Sequence, residues 1–162
     1  MFTPRSIPSG LVLHHGCLRA RLMFALRTEA NLIRPRIFLA DDHDEFLEAE
    51  IALLLPHFEI VGIATDGASL VSEVQRLDPD VVVVDITMPL MNGIDAVHEL
   101  IKSGSTAKFV FLTVNTGEEF VKACQEVGAR GYVWKSRMKT HLIPAINFVL
   151  ENKTYVSPLT FT

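Results

Sequence analysis

Four consecutive β-branched residues, Val81, Val82, Val83 and Val84, run directly into Asp85. A run so short is not a helix, and a run so uniformly apolar cannot keep one face in water. It has the composition of a strand covered on both sides, which is the situation of a strand inside a parallel sheet. Such a strand has no structural use for an acid at its end, so Asp85 asks for a chemical reason.

The neighbouring segments keep the same rhythm. Ile37-Phe38-Leu39-Ala40 is another short apolar run, closed by Asp41-Asp42. Over 44–55, Phe46, Leu47, Ile51, Leu54 and Leu55 share one helical stripe, and Pro56 stops it. A strand follows over 58–64, then a turn at Asp66-Gly67, then a helix marked by Leu70, Val71, Val74 and Leu77 that ends before Pro79. Beyond Asp85, a loop with Pro89, Asn92 and Gly93 leads into a helix with Ile94, Val97, Leu100 and Ile101 on its apolar side. Residues 108–113 read as a fourth strand, 118–127 as a helix ended by Gly128, and 131–134 as a short fifth strand. A last helix is expected over 141–151, with Pro144 tolerated in its first turn. Five strands alternating with five helices predict an α/β fold, a doubly wound parallel sheet with helices on both faces.

In open sheets of this kind the chemistry collects beyond the carboxyl ends of the strands. Those ends carry Asp41 and Asp42, Asp85, Thr113 and, one residue after Trp134, Lys135. Thr65-Asp66 at the second strand reads as turn chemistry. Clustered carboxylates raise one another's pKa unless a cation joins them, and Mg²⁺, which prefers oxygen ligands, meets that need. The set suits phosphoryl transfer to a carboxylate nucleophile, with Lys135 pairing one phosphoryl oxygen and Thr113 hydrogen-bonding another. Taken alone, Asp41 and Asp42 read equally well as caps of the helix that starts near Asp44. His43, His57, His98 and His141 read as surface or helix-end residues, and Trp134 and the phenylalanines as packing.

Composition narrows the classes further. At 162 residues and 49% hydrophobic, the chain can bury the core of one globular domain, which argues against disorder, collagen or coiled coil. Its net charge of -4 is no general trap for nucleic acid. The charge is divided, with +5 over residues 1–36 and -9 over the remainder. Cys17 and Cys124, with no CxxC spacing, suggest neither a disulfide framework nor a zinc site. No apolar stretch is long enough to span a membrane. The only leader-like segment, 10–18, contains His14 and His15 and runs into Arg19 and Arg21. A cytoplasmic protein is expected. Leu18, Leu22, Phe24, Ala25 and Leu32 give the basic extension over 1–35 a loose helical stripe. It reads either as a partner- or surface-binding helix or as an over-extended start with Met23 as the true initiator.

Four motifs in order resemble the receiver domain of two-component response regulators. They are Ile37-Phe38-Leu39-Ala40-Asp41-Asp42-His43, Val84-Asp85-Ile86-Thr87-Met88-Pro89-Leu90-Met91-Asn92-Gly93, Phe111-Leu112-Thr113, and Gly128-Ala129-Arg130-Gly131-Tyr132-Val133-Trp134-Lys135. The likeness covers 36–155, leaving 156–162 as a short tail, and implies a flavodoxin-like, five-stranded sheet of order 2-1-3-4-5. It implies Asp85 as phosphoacceptor, Asp42 and Asp85 as direct Mg²⁺ ligands with the Thr87 backbone carbonyl, and Asp41 acting on the metal through water. Thr113 and Tyr132 are the implied switch pair and Lys135 the family's lysine. The implied partners are a sensor histidine kinase or phosphotransfer protein and a downstream protein; homodimerisation is left open. Asp-Asp-His and 152–158 are similar to the NarL/FixJ subfamily, whose members continue into a DNA-binding helix-turn-helix. With four residues after Pro158, no sequence-specific DNA binding is expected of this chain.

The departures are Val114 where a small residue is common, Ser136 where many members have Pro, and Asp44 where the subfamily often has Pro. Val114 narrows access to the phosphoryl group, and Ser136 argues against a cis peptide there. Two other functions remain in view. One is a phosphatase of the haloacid-dehalogenase type, opposed by Thr87 where the second Asp would stand. The other is a docking or dimerising module that works without phosphorylation. The apolar face of the last helix and strand, with Ile143, Ile146 and Tyr132, reads as a partner surface or as ordinary core packing.

Overall fold

A computed structural model of the chain describes residues 33–158. The basic extension expected over 1–35 lies almost wholly outside the described residues, as do 159–162 of the expected tail. Strands β1 (Arg36–Ala40), β2 (Glu59–Ala64), β3 (Val81–Val84), β4 (Lys108–Thr113), β5 (Gly131–Trp134) and β6 (Tyr155–Val156) form one parallel sheet in the order β2-β1-β3-β4-β5-β6. Helices α1 (Asp44–Leu54), α2 (Gly67–Leu77), α3 (Gly93–Lys102), α4 (Glu118–Glu126) and α5 (Met138–Leu150) cross between strands, and a 3₁₀ turn at Lys135–Arg137 precedes α5.

The two-residue alternation of the strands divides the core in two. Phe38, Val82, Val84, Phe109, Phe111 and Tyr132 pack on α2, α3 and α4. Ile37, Leu39, Val81, Val83, Val110 and Val133 pack on α1 and α5. All four residues of β3 are buried, as a strand covered on both faces requires.

Three sequence expectations are corrected. The sheet has six strands rather than five, and the boundary drawn at 155 and 156 cuts through β6. Tyr155 N–H donates to the Arg130 carbonyl at 2.8 Å and Ser157 N–H to that of Tyr132 at 2.9 Å. A two-residue strand has no periodicity to read. The last helix starts at Met138, not near 141, because the 3₁₀ turn feeds straight into it and Met138 packs in the core. Pro144 therefore lies inside the helix, where it removes one donor. Leu55, placed on the α1 stripe, falls beyond the helix and is exposed.

Candidate functional site

Sheet register brings the site together. Ala40 and Val84 are partners across β1 and β3, and the Asp85 N–H donates to the Ala40 carbonyl at 2.8 Å. The next residues, Asp41 and Asp85, therefore leave the sheet side by side. Thr113 and Trp134 are partners across β4 and β5, so Lys135 follows at the same level. Asp41, Asp85, Thr113 and Lys135 are all buried. The loop after Asp85 folds back on it, with Gly93 N–H donating to the Ile86 carbonyl at 2.8 Å. A Cβ on Gly93 would lie 2.0 Å from the Asp85 carbonyl oxygen, so only glycine lets α3 start there.

Lys135 Nζ lies 2.9 Å from Asp85 Oδ2 and also pairs with Asp41 Oδ2. Burial by itself would lower the pKa of this ammonium, but the carboxylates of Asp41 and Asp85 outweigh that and hold it above its ordinary value. Asp85 Oδ1 is buried with no hydrogen-bond partner. Asp41 Oδ1 accepts from the His43 N–H at 2.9 Å, and His43 Nδ1 lies 2.8 Å from Asp42 Oδ1. The α1 N-cap is His43, with no side-chain cap, so Asp41 and Asp42 serve the cluster and not the helix end.

One ligand atom each from Asp41, Asp42, His43 and Asp85 lies within 4.8 Å of the others. Hard carboxylate oxygens around the unpartnered Asp85 Oδ1 fit a divalent cation of the Mg²⁺ type. Thr87 lies two residues past Asp85 and is exposed, between buried Ile86 and Met88.

At the other wall, Thr113 Oγ1 accepts from Asn115 N–H at 3.3 Å and from Asn115 Nδ2 at 3.2 Å, which leaves its own proton free to donate. Tyr132 is already inside, only 2% exposed, and its hydroxyl donates to the Asn115 carbonyl at 2.6 Å. Asn115 thus ties the two expected switch residues together. Val114, between Thr113 and Asn115, points outward and is 63% exposed.

The family model described as the response regulator receiver domain matches residues 37–147. The chain belongs to that family. As a receiver it is 32% identical over 135 residues to the transcriptional regulatory protein DegU of Brevibacillus brevis, covering 82% of this chain and 57% of the relative. It is 35% identical over 92 residues to the chemotaxis protein CheY of Thermotoga maritima, covering 57% of this chain and 77% of that one. Among solved structures, a LuxR-family two-component response regulator from an Aurantimonas species superposes with a TM-score of 0.73 at 31% identity, covering 77% of this chain and 91% of the other. The chain spans little more than half the length of the first curated relatives it matches.

Three residues in or beside the receiver site are missed by sequence reasoning. His43 joins the acid cluster and Asn115 bridges the switch pair; neither sits in a spacing that announces it. Glu50, on α1, is 1% exposed, with Oε2 unpartnered. Burial, and after it the charge of Asp41, pushes its carboxyl up to about 8, so it is protonated at neutral pH. A signal for Glu50 exists, since it lies three residues after Leu47 and four before Leu54 on the buried stripe. The expected partner surface is corrected as well. Ile146 and Tyr132 are buried on opposite faces of the sheet and Ile143 is partly buried, leaving Phe148 as the exposed aromatic of α5.

Proposed function

We propose that this receiver accepts a phosphoryl group on Asp85 from a histidine kinase or phosphotransfer protein, and that the transfer changes which protein partner it binds. The observation that carries the reading is Lys135 held between Asp41 and Asp85, with the second Asp85 oxygen left without a partner. Asp41, Asp42 and Asp85, with the Thr87 carbonyl, would hold Mg²⁺. When bound, the cation neutralises charge on the transferring group.

The steps that belong to the chain are these. A carboxylate oxygen of Asp85 attacks the phosphorus of a phosphohistidine, the P–N bond breaks, the imidazole leaves, and an acyl phosphate forms. Lys135, already beside Asp85 Oδ2, pairs with a phosphoryl oxygen. Thr113 turns its free proton to another oxygen, which loosens its bonds from Asn115 and so disturbs the Tyr132 anchor. The surface around β5 and α4 changes with it, shifting a two-state population. The chain takes one phosphoryl group and loses it by hydrolysis; it is not an enzyme acting on an external substrate.

A reducing cytoplasm suits Cys124, a free thiol that burial pushes up to about 12. Among the described residues no helix is long and apolar enough to cross a membrane. Intact-mass spectra with Mg²⁺ and a phosphorylated kinase domain or small phosphodonor test the reading. One added phosphoryl group is expected on the wild type and none on Asp85→Asn. Repeated turnover of a phosphatase substrate would point to the haloacid-dehalogenase chemistry instead.

A further inference from the structure

Lys135 has three donor hydrogens and two carboxylate partners, and an aromatic ring stands at the remaining side. The Phe46 ring centroid lies 4.1 Å from Lys135 Nζ. The same ring stands edge-on to His43, centroids 6.2 Å apart, and His43 in turn leans on Asp41 and Asp42. Phe46 is only half-buried, and it is absent from both groups of core residues, so the packing of the sheet does not account for it. A cavity of about 610 Å³ opens between α1 and the 3₁₀ turn, lined by Phe46, Ala49, Lys135 and Met138 among others. Despite that neighbouring space, the Lys135 side chain is 2% exposed.

We infer that Phe46 is a positioning residue for phosphoryl transfer: its ring closes the third side of the Lys135 ammonium, keeps cavity water off it, and aims it at Asp41 and Asp85. The inference rests on the receiver reading above. A ring face attracts a cation most when water is excluded, and an ammonium with all three hydrogens engaged has one orientation. A branched aliphatic side chain of similar bulk fills space without attracting the charge. The Lys135 ammonium, shielded although the residue lines the cavity, would then be open to cavity water and would meet a phosphoryl oxygen in several orientations.

The test compares Phe46→Leu with Phe46→Tyr, which keeps the ring; Phe46→Met replaces Phe46→Leu if that variant does not fold. Brief acylation with a small anhydride, followed by peptide mass mapping, reads the reactivity of the Lys135 amine against exposed Lys139 in the same molecule. Relative labelling of Lys135 is expected to rise roughly two- to thirty-fold in Phe46→Leu and to stay at the wild-type level in Phe46→Tyr. The maximal rate of adduct formation with a small phosphodonor should fall by a similar factor in Phe46→Leu and return in Phe46→Tyr, with little change in the half-saturating concentration. Equal behaviour of the two variants, or Phe46→Leu indistinguishable from wild type, would overturn the assignment. If wild type takes no phosphoryl group at all, the receiver reading fails, while the labelling ratio still decides the role of Phe46.

Discussion

Asp85 and Glu50 are both carboxylates that the fold removes from water, at 3% and 1% exposure, and both have one oxygen without a hydrogen-bond partner. They differ in what stands beside them. Asp85 has the Lys135 ammonium at 2.9 Å, whereas Glu50, on the buried face of α1, has no ion pair among the described residues: burial and the charge of Asp41 raise its carboxyl, and the more remote Lys135 offsets only part of this. A buried negative charge is offset where an ammonium stands in ion-pair contact; where none does, retaining the proton costs less. The receiver site is thus the place where the chain supplies the positive charge that its buried acids need.

The largest break in this comparison comes from removing the cation. Lys135→Met leaves Asp41 and Asp85 facing each other without it, and should lower the unfolding free energy by about 3–5 kcal/mol, read from urea midpoints at constant slope. An unchanged midpoint would mean that the ion pairs contribute nothing.

Next comes Glu50→Gln, which keeps the shape and removes the titration. The unfolded side chain gives up its proton near 4.5 while the folded one keeps it to about 8, so between those values the native state holds more protons and wild-type stability falls as pH rises. The variant should stay flat through that window. Its advantage should be near zero at pH 4.5 and grow to on the order of a few kcal/mol by pH 8, measured as thermal midpoints across pH. Parallel curves would show that Glu50 is not buried as described.

The smallest effect sharpens the contrast with a neutral group. Ser157 is buried and its Oγ accepts from the Trp134 N–H at 3.2 Å, so Ser157→Ala leaves one donor unmet at the end of β5. A loss of about 1 kcal/mol is expected, independent of pH over the same range.

The legibility of the molecule follows the same physical divide. Strand ends are readable because a short β-branched run gains nothing in packing from a terminal acid, and register then places Asp41, Asp85, Thr113 and Lys135 together without further information. What depends on side-chain direction is not readable. Glu50 looks like any solvated helix acid unless the stripe is drawn through Leu47 and Leu54 rather than through Ile51, which is only half-buried. His43 and Asn115 act through loop geometry that no periodicity encodes. Strand β6 is held by hydrogen bonds to β5 and not by an apolar pattern, and the 3₁₀ turn that leads into α5 carries no composition cue. Tyr132 and Ile146 do not share the expected surface because they pack on opposite faces of the sheet.

The most direct test of the central claim locates the acyl phosphate itself. The protein is phosphorylated in the presence of Mg²⁺, reduced with borohydride, which converts a phosphorylated aspartate to homoserine, and mapped by peptide mass spectrometry. Homoserine at position 85 and nowhere else is the predicted result. Homoserine at 41 or 42, or a phosphoryl adduct that survives on a residue other than aspartate, would contradict it.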